Sequence, residues 1–159
     1  MNTTSKKHRL LDRLNDYADK ARCRDEIDDC SRSVELHTKL LLTYEIQGIV
    51  HIKQERREDA IRDWLNAAEY ETRLALVYCR RGTAYYHLGE YKRALSDFSK
   101  AVDMQGDNAA AIYNRGCTYN RLERFEEAAA DFLKARELDP ELAVAYEDSN
   151  TIRLATKEA

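Results

Sequence analysis

The sequence predicts an all-α protein built as a solenoid of antiparallel helical hairpins. Three observations support this prediction. Side chains recur with a fixed period of 34 residues, apolar residues follow helical spacing, and turn-forming residues are scarce, with five glycines and one proline in 159 residues. Turn-rich β folds need such residues far more often. With 43% hydrophobic and 35% charged residues, the chain suits one domain, 1–159, with a buried core.

Four columns of side chains carry the period. They are Gly48, Gly82 and Gly116; Ala60, Ala94 and Ala128; Trp64, Phe98 and Phe132; and Ala67, Ala101 and Ala135. With the glycine in the eighth position, the repeats are 41–74, 75–108 and 109–142, without insertions. Chance does not align four columns in this way, so the chain repeats one structural unit.

Each repeat is predicted to form two helices. In the third repeat, the first stripe has i, i+3, i+4 and i+7 spacing, and a second stripe follows a break near Leu122. The two stripes are Ile112, Arg115, Gly116 and Tyr119, and then Phe125, Ala128, Phe132 and Ala135. Small residues let the antiparallel helices approach to about 8–10 Å, and the aromatic residues fill the remaining space.

These residues resemble the tetratricopeptide repeat, a helix–turn–helix unit of 34 residues. The family's packing positions are held by Tyr78, Gly82, Tyr85, Ala94, Phe98 and Ala101. Pro140 matches the closing proline, whereas Thr72 and Gly106 replace it, so these two junctions are expected to be looser. The resemblance implies a right-handed superhelix whose concave wall is lined by the first helix of each repeat.

Arginine replaces the family's leucine in two repeats, and each arginine has an aspartate sixteen residues later. The pairs are Arg81 with Asp97 and Arg115 with Asp131. Because an antiparallel hairpin brings such positions together, we interpret them as structural ion pairs.

The flanks follow the repeat pattern more weakly. Residues 7–40 are interpreted as a degenerate first repeat, with Leu14 in place of the glycine and Glu26 in place of the first alanine. A plain pair of N-terminal capping helices is the alternative. Residues 143–157 are expected to form a C-terminal capping helix with a polar outer face.

The sequence gives no indication of catalysis, a metal or a cofactor. The four histidines fall in different helical registers, and phosphate-loop, G-x-S-x-G and H-E-x-x-H motifs are lacking. The net charge of −3 argues against nucleic-acid or membrane partners. Without a signal peptide or a long apolar run, and with four cysteines expected to be free thiols, the protein is expected to be cytoplasmic.

The resemblance implies that the concave wall binds another protein or peptide. The candidate binding residues are Ile49, Ile52, Lys53, Cys79, Arg80, Thr83, Tyr86, His87, Tyr113, Asn114, Cys117, Asn120 and Arg121. One column, Lys53, His87 and Arg121, is expected to form a ladder of cations for acidic groups, or simply a solvated row.

Two further features of this wall have alternative interpretations. Tyr86 and Tyr113 are either exposed binding residues or fillers between helices. Ile49 and Ile52 either anchor the partner or pack against residues 7–40. The carboxylate clamp by which some relatives capture chaperone C-termini is not predicted, since at most one of its five positions fits.

The leading functional prediction is therefore an adaptor that binds a polypeptide segment in its concave groove. One alternative is a small dedicated chaperone, because size and repeat number are similar to those of the secretion chaperones of bacterial injection systems. The other alternative is a self-assembling scaffold, with a homodimer formed through residues 7–40.

Overall fold

The computed structural model describes residues 3–141, which contain five α-helices and no strand. The helices are α1 (Thr3–Lys53), α2 (Arg57–His87), α3 (Tyr91–Met104), α4 (Ala109–Arg121) and α5 (Phe125–Leu138). Each helix packs against the next one along the chain. The predicted all-α stack of helical hairpins is confirmed. The capping helix predicted at 143–157 lies outside the described residues, and none of the five helices is long and apolar enough to cross a membrane.

Two of the helices run across repeat boundaries. α1 continues from 7–40 into 41–53, and α2 joins the second helix of repeat 41–74 to the first helix of repeat 75–108. Residues 7–40 therefore form part of one helix, instead of the degenerate hairpin or pair of capping helices that the sequence pattern suggested. The looser junction expected at Thr72 is also continuous helix.

A second periodicity explains this continuity. On each helix, one series of buried and half-buried positions is spaced in steps of three and four residues, which is the spacing of a coiled-coil seam. On α1 they are Ile27, Cys30, Val34, His37, Leu41, Tyr44, Gly48 and His51, and on α2 they are Ala60, Asp63, Ala67, Tyr70, Leu74, Val77, Arg81 and Ala84. Neither glycine nor proline lies at 38–41 or 71–76, so the seam continues through both boundaries.

Contacts along the whole seam show one long antiparallel hairpin. Near its turn, His51 Nδ1 lies 2.7 Å from Asp63 Oδ2. Further along, the rings of Tyr44 and Tyr70 stack with centroids 5.6 Å apart. At the far end, Arg81 Nη1 donates to Ser31 Oγ at 3.1 Å. The middle of α1, from Glu26 to Leu41, thus packs on the second half of α2.

The junction between repeats 75–108 and 109–142 does turn. Gln105 ends α3 in an extended conformation (φ −133°, ψ 83°), and exposed Gly106 follows. The Asn108 side chain then caps α4 by accepting the Ala111 N–H at 3.0 Å. A local stop signal and a local start signal are therefore present here, and both are missing at 71–76.

The turns inside the hairpins recur with the period of the sequence. Glu55, Gly89 and Glu123, each 34 residues apart, have φ of 62°, 78° and 61°. Glycine adopts this left-handed conformation without strain, whereas the two glutamates do so at a small cost. The same turn geometry thus closes all three hairpins.

The core lies where α2 to α5 meet. Its buried residues are Leu74, Tyr78, Ala101, Val102, Ala111, Ile112, Tyr113 and Ala135, and Val34 and Leu41 of α1 pack against them. A Cβ on Gly82 would lie 3.0 Å from Phe98 Cε1, and one on Gly116 would lie 2.9 Å from Phe132 Cε1. The aromatic column therefore fills the space that the glycine column leaves.

The two arginine–aspartate pairs are bidentate and largely buried. Arg81 donates to Asp97 at 2.7 and 2.8 Å, and Arg115 donates to Asp131 at 2.7 Å through both Nε and Nη2. Only 3% of Asp97 and 6% of Asp131 is exposed. These hydrogen bonds raise the pKa of both arginines. The pairs hold each hairpin together and leave neither arginine free to bind a partner.

Candidate functional site

The second half of α2 and the adjacent α4 form the surface that we call the wall. From α2 it takes Cys79, Thr83, Tyr86 and His87, and from α4 it takes Asn114, Cys117, Asn120 and Arg121. The two cysteines are half-buried and pack against the core. His87, Asn120 and Arg121 are exposed. The wall therefore has a half-buried floor, formed by the thiols of Cys79 and Cys117, and an exposed polar rim.

Arg121 is held in place by aromatic neighbours. Its Nε donates to Tyr86 Oη at 3.1 Å, and its guanidinium carbon lies 5.9 Å from the centre of the same ring. Tyr86 meets the edge of Tyr91, with centroids 5.4 Å apart. The hydrogen bond from Arg121 to Tyr86 raises the pKa of Arg121. Tyr86 thus orients an exposed cation.

The terminal amino groups of Arg121 make no hydrogen bond to any residue in 3–141. This distinguishes Arg121 from Arg81 and Arg115, whose guanidinium groups are occupied by buried carboxylates. Two parallel N–H donors in a planar fork are the arrangement that binds a carboxylate in a bidentate way. Within the part of the chain that the structure describes, Arg121 is therefore available for a further acidic group.

The thiols of the floor are poor nucleophiles. Burial raises the pKa of Cys79 to about 11, with a smaller contribution from the charge of Asp97. Burial also raises the pKa of Cys117. Both side chains are therefore protonated at neutral pH and act as small apolar groups. Within residues 3–141, no three His, Cys, Asp or Glu side chains come together as metal ligands.

Tyr113 lies beneath the wall and not on it. Only 9% of its surface is exposed, and its ring packs at 5.2 Å from that of Phe132. Of the two interpretations of the tyrosines, filling between helices describes Tyr113, whereas Tyr86 lies at the rim. The periodicity placed Tyr113 correctly on α4, but a bulky residue can turn inward where its neighbours are small.

The expected ladder of three cations is not formed. Lys53 lies at the turn between α1 and α2, and His87 ends α2, so roughly 45 Å of helix separates their positions. Ile49 and Ile52 lie at the same end as Lys53 and are 51% and 44% exposed. They do not pack against residues 7–40, because they belong to the same helix, and they do not join the wall, because it lies at the far end of α2.

Arg80 and Thr83 already have partners within the chain. Arg80 Nη2 donates to Glu26 Oε1 at 3.2 Å, and the Thr83 hydroxyl donates to the Cys79 carbonyl at 2.9 Å. The 34-residue columns did not predict that α1 would reach this level. The unbroken spacing of three and four residues from Ile27 to His51 was the signal that indicated it.

Comparison with known proteins identifies the repeats that carry the wall. The family model described as "Tetratricopeptide repeat" matches residues 75–108 and 109–142. Residues 75–142 of the chain match two adjacent tetratricopeptide repeats. This family is a protein-interaction repeat, generally non-enzymatic, and the wall lies on the two matched tetratricopeptide repeats.

Solved structures of tetratricopeptide repeat domains are similar to this chain. The Arabidopsis OM64 domain is 27% identical, and the match covers 71% of this chain and 95% of that one, with a TM-score of 0.45. The first domain of human RPAP3 is 26% identical, covering 75% and 95%, with a TM-score of 0.45. The first domain of Spaghetti (RPAP3), bound to the HSP90 peptide SRMEEVD, is 24% identical, covering 74% and 94%, at 0.45. No curated protein sequence matches the chain.

Proposed function

We propose that this protein is an adaptor whose wall binds an acidic segment of another polypeptide. The observation that carries the proposal is Arg121, an exposed cation that Tyr86 orients and that no carboxylate within 3–141 neutralises. Arginine beside tyrosine is a typical composition of an interaction hot spot.

The bound carboxylate would lie against the two terminal amino groups of Arg121. His87, which meets Tyr86 with ring centroids 6.1 Å apart, and exposed Asn120 would donate to neighbouring groups of the segment. The thiols of Cys79 and Cys117 would contact its apolar side chains. A wall two helices wide spans about four to six residues of an extended segment. The site is therefore suited to a short motif and not to a large folded surface.

Charge reversal at Arg121 tests the proposal. Arrays of acidic peptides, and affinity purification of the partner from the native cell, would be compared between the wild type and Arg121→Glu. We expect binding to weaken by about 10- to 100-fold, because a central hot-spot residue contributes roughly 1.4–2.8 kcal/mol. Tyr86→Phe keeps the ring and removes the hydroxyl that holds Arg121, so an intermediate loss is expected.

The matched control is Arg136→Glu. Arg136 is exposed on α5, away from the wall, so the substitution changes the net charge equally. Circular dichroism would verify that both variants retain wild-type helicity. If Arg121→Glu and Arg136→Glu bind the same peptides with the same affinity, the wall is not the binding surface.

A further inference from the structure

The end of the α1–α2 hairpin that contains the turn has an apolar side, which we call the tip face. It consists of Leu42, Ile46, Ile49 and Ile52 of α1 and Ile61, Trp64 and Leu65 of α2, each 43–67% exposed. On both helices these residues are rotated in the same sense from the seam, by about 130° on average. Because the helices are antiparallel, equal rotations bring both groups to the same side of the hairpin.

The internal repeat shows what such a face normally contacts. Ile61, Leu65 and Ala68 correspond, 34 residues later, to Leu95, Ser99 and Val102 of α3. Val102 is buried with Ile112 in the core, where the next hairpin stacks on α3, and Leu95 and Ser99 are half-buried.

The tip face has no such cover within residues 3–141. α2 continues straight through 71–76, so the helix that would fold back over the tip face runs away from it. By its sequence and its position in the repeat, the tip face therefore corresponds to a stacking interface. The described part of the chain leaves this interface exposed.

We propose that a second copy of the chain covers the tip face, so that two hairpins form a four-helix bundle. The exposed apolar area of the seven large side chains is on the order of 600–700 Å², at the upper end for a monomer and close to the ~800 Å² that each partner contributes to a standard interface. When this surface meets its own copy across a two-fold axis, the tip faces of both subunits are covered at once.

The charges on this side favour one orientation. Lys53 and Arg57 lie near the turn, whereas Glu45 and Glu71 lie about 12–21 Å further along the helices. None of the four forms an ion pair within residues 3–141. A two-fold axis perpendicular to the helices pairs α1 with α1 and α2 with α2, each pair antiparallel. This arrangement brings Lys53 opposite Glu45 of the partner subunit, and Arg57 opposite Glu71 of the partner subunit.

The first test is the mass of the full chain in solution, measured by light scattering from low micromolar to several hundred micromolar. We expect a dimer of the 18.5 kDa chain. Ile49→Glu combined with Leu65→Glu places four buried charges in the bundle, and we expect the dissociation constant to rise at least 100-fold. Both residues are exposed in the single chain, so helicity should be unchanged. Leu133→Glu, at a residue 52% exposed on α5, is the matched control.

The second test concerns orientation. Lys53→Glu should weaken the dimer about tenfold, because two attractive pairs become repulsive, and adding Glu45→Lys should restore wild-type affinity. Rescue by the double reversal is expected only if the hairpins lie antiparallel.

Four results would overturn the proposal: a monomer at every concentration, an open-ended series of oligomers, a dimer that survives the Ile49 and Leu65 substitutions, or no rescue. Leu14→Glu with Tyr17→Glu examines the dimer expected through residues 7–40, since both side chains are 63% exposed there. Dissociation by this pair alone would also refute the role of the tip face. Because Arg121 and Tyr86 lie outside the tip face, failure here leaves the proposed peptide site untouched.

Discussion

Replacing Thr72 by proline would test the continuity of α2, on which the separation of the wall from the tip face depends. Thr72 is the sixteenth residue of the 31-residue helix Arg57–His87, so continuous helix lies on both sides of it. Proline removes the N–H that bonds to the Ala68 carbonyl, and its ring collides with that carbonyl. The substitution also deletes the hydroxyl that donates to the same oxygen at 3.1 Å.

We expect Thr72→Pro to lower the free energy of unfolding by about 3–4 kcal/mol. The lost backbone bond and the steric clash together cost about 3 kcal/mol or more in a helix interior. Thr72 itself is exposed, so little packing is lost with its side chain. Its neighbours Tyr70 and Leu74 both belong to the seam with α1, so a kink between them disturbs contacts on both sides. The total free energy of unfolding of a domain of this size is roughly 5–15 kcal/mol, so a loss of this magnitude is large.

Gly106→Pro is the matched control, because Gly106 occupies the same repeat position 34 residues later. The preceding residue, Gln105, has φ −133° and ψ 83°, close to the φ −143° and ψ 92° of Asp139, which precedes the native Pro140. An extended residue before proline is the conformation that proline requires. We expect Gly106→Pro to be neutral or to stabilise by about 0.4–1 kcal/mol.

Urea denaturation followed by circular dichroism measures both changes, and small-angle scattering reports the maximum dimension. Unfolding of Thr72→Pro at the same urea concentration as Gly106→Pro would refute the continuity of α2. That result would mean that α2 already bends at the repeat boundary, so that residues 75–87 fold over the tip face as α4 covers α3.

Three further predictions concern the repeats themselves. Asp131→Ala leaves Arg115 without its buried partner, so the free energy of unfolding in urea should fall by about 3–5 kcal/mol; a loss below about 1 kcal/mol would show a solvated pair. Gly116→Ala gains up to about 1 kcal/mol of helix propensity. However, its Cβ would lie 2.9 Å from Phe132 Cε1 and 3.2 Å from Asp131 Cβ. We therefore expect the same urea titration to show a net destabilisation of about 1–2 kcal/mol. Because the pKa of Cys79 is raised from 9.0 to about 11, its alkylation near pH 8 should be about 100-fold slower in the native protein than in urea, as followed by mass spectrometry. The proton is held more tightly in the folded state, so the stability from this thiol is lost as pH rises from 9.0 to about 11; equal alkylation rates would contradict the burial of Cys79.

The repeat columns allowed the hairpins to be predicted because their signals are local. A glycine opposite an aromatic residue sixteen positions later, as in Gly116 and Phe132, indicates a close helix crossing wherever it occurs. The ion pair of Arg115 with Asp131 follows from the same antiparallel geometry. Each of these features depends on residues within a single repeat of 34, so the sequence alone is enough to predict it.

The continuity of α1 and α2 could not be predicted from the columns, because it depends on how neighbouring units compete. The repeat period favours a turn near Thr72, whereas the seam spacing favours a straight helix through Tyr70, Leu74 and Val77. Without proline or glycine at 71–76, no local penalty opposes the seam. The sequence left the orientation of Tyr113 open for a related reason, since burial is decided by the neighbouring side chains and not by the register.

Competition between the two periods also accounts for the division of the molecule. Where the chain has stop and start signals, at Gly106 and Asn108, hairpins stack and produce the wall with its oriented Arg121. Where those signals are missing, the helix follows the seam spacing through the repeat boundary. The apolar residues that stacking would have covered then stay exposed on the tip face. A change that restores the turn at Thr72 should therefore act on two properties at once. It should extend the wall towards Ile49 and Lys53, and it should remove the surface through which we propose that two copies meet.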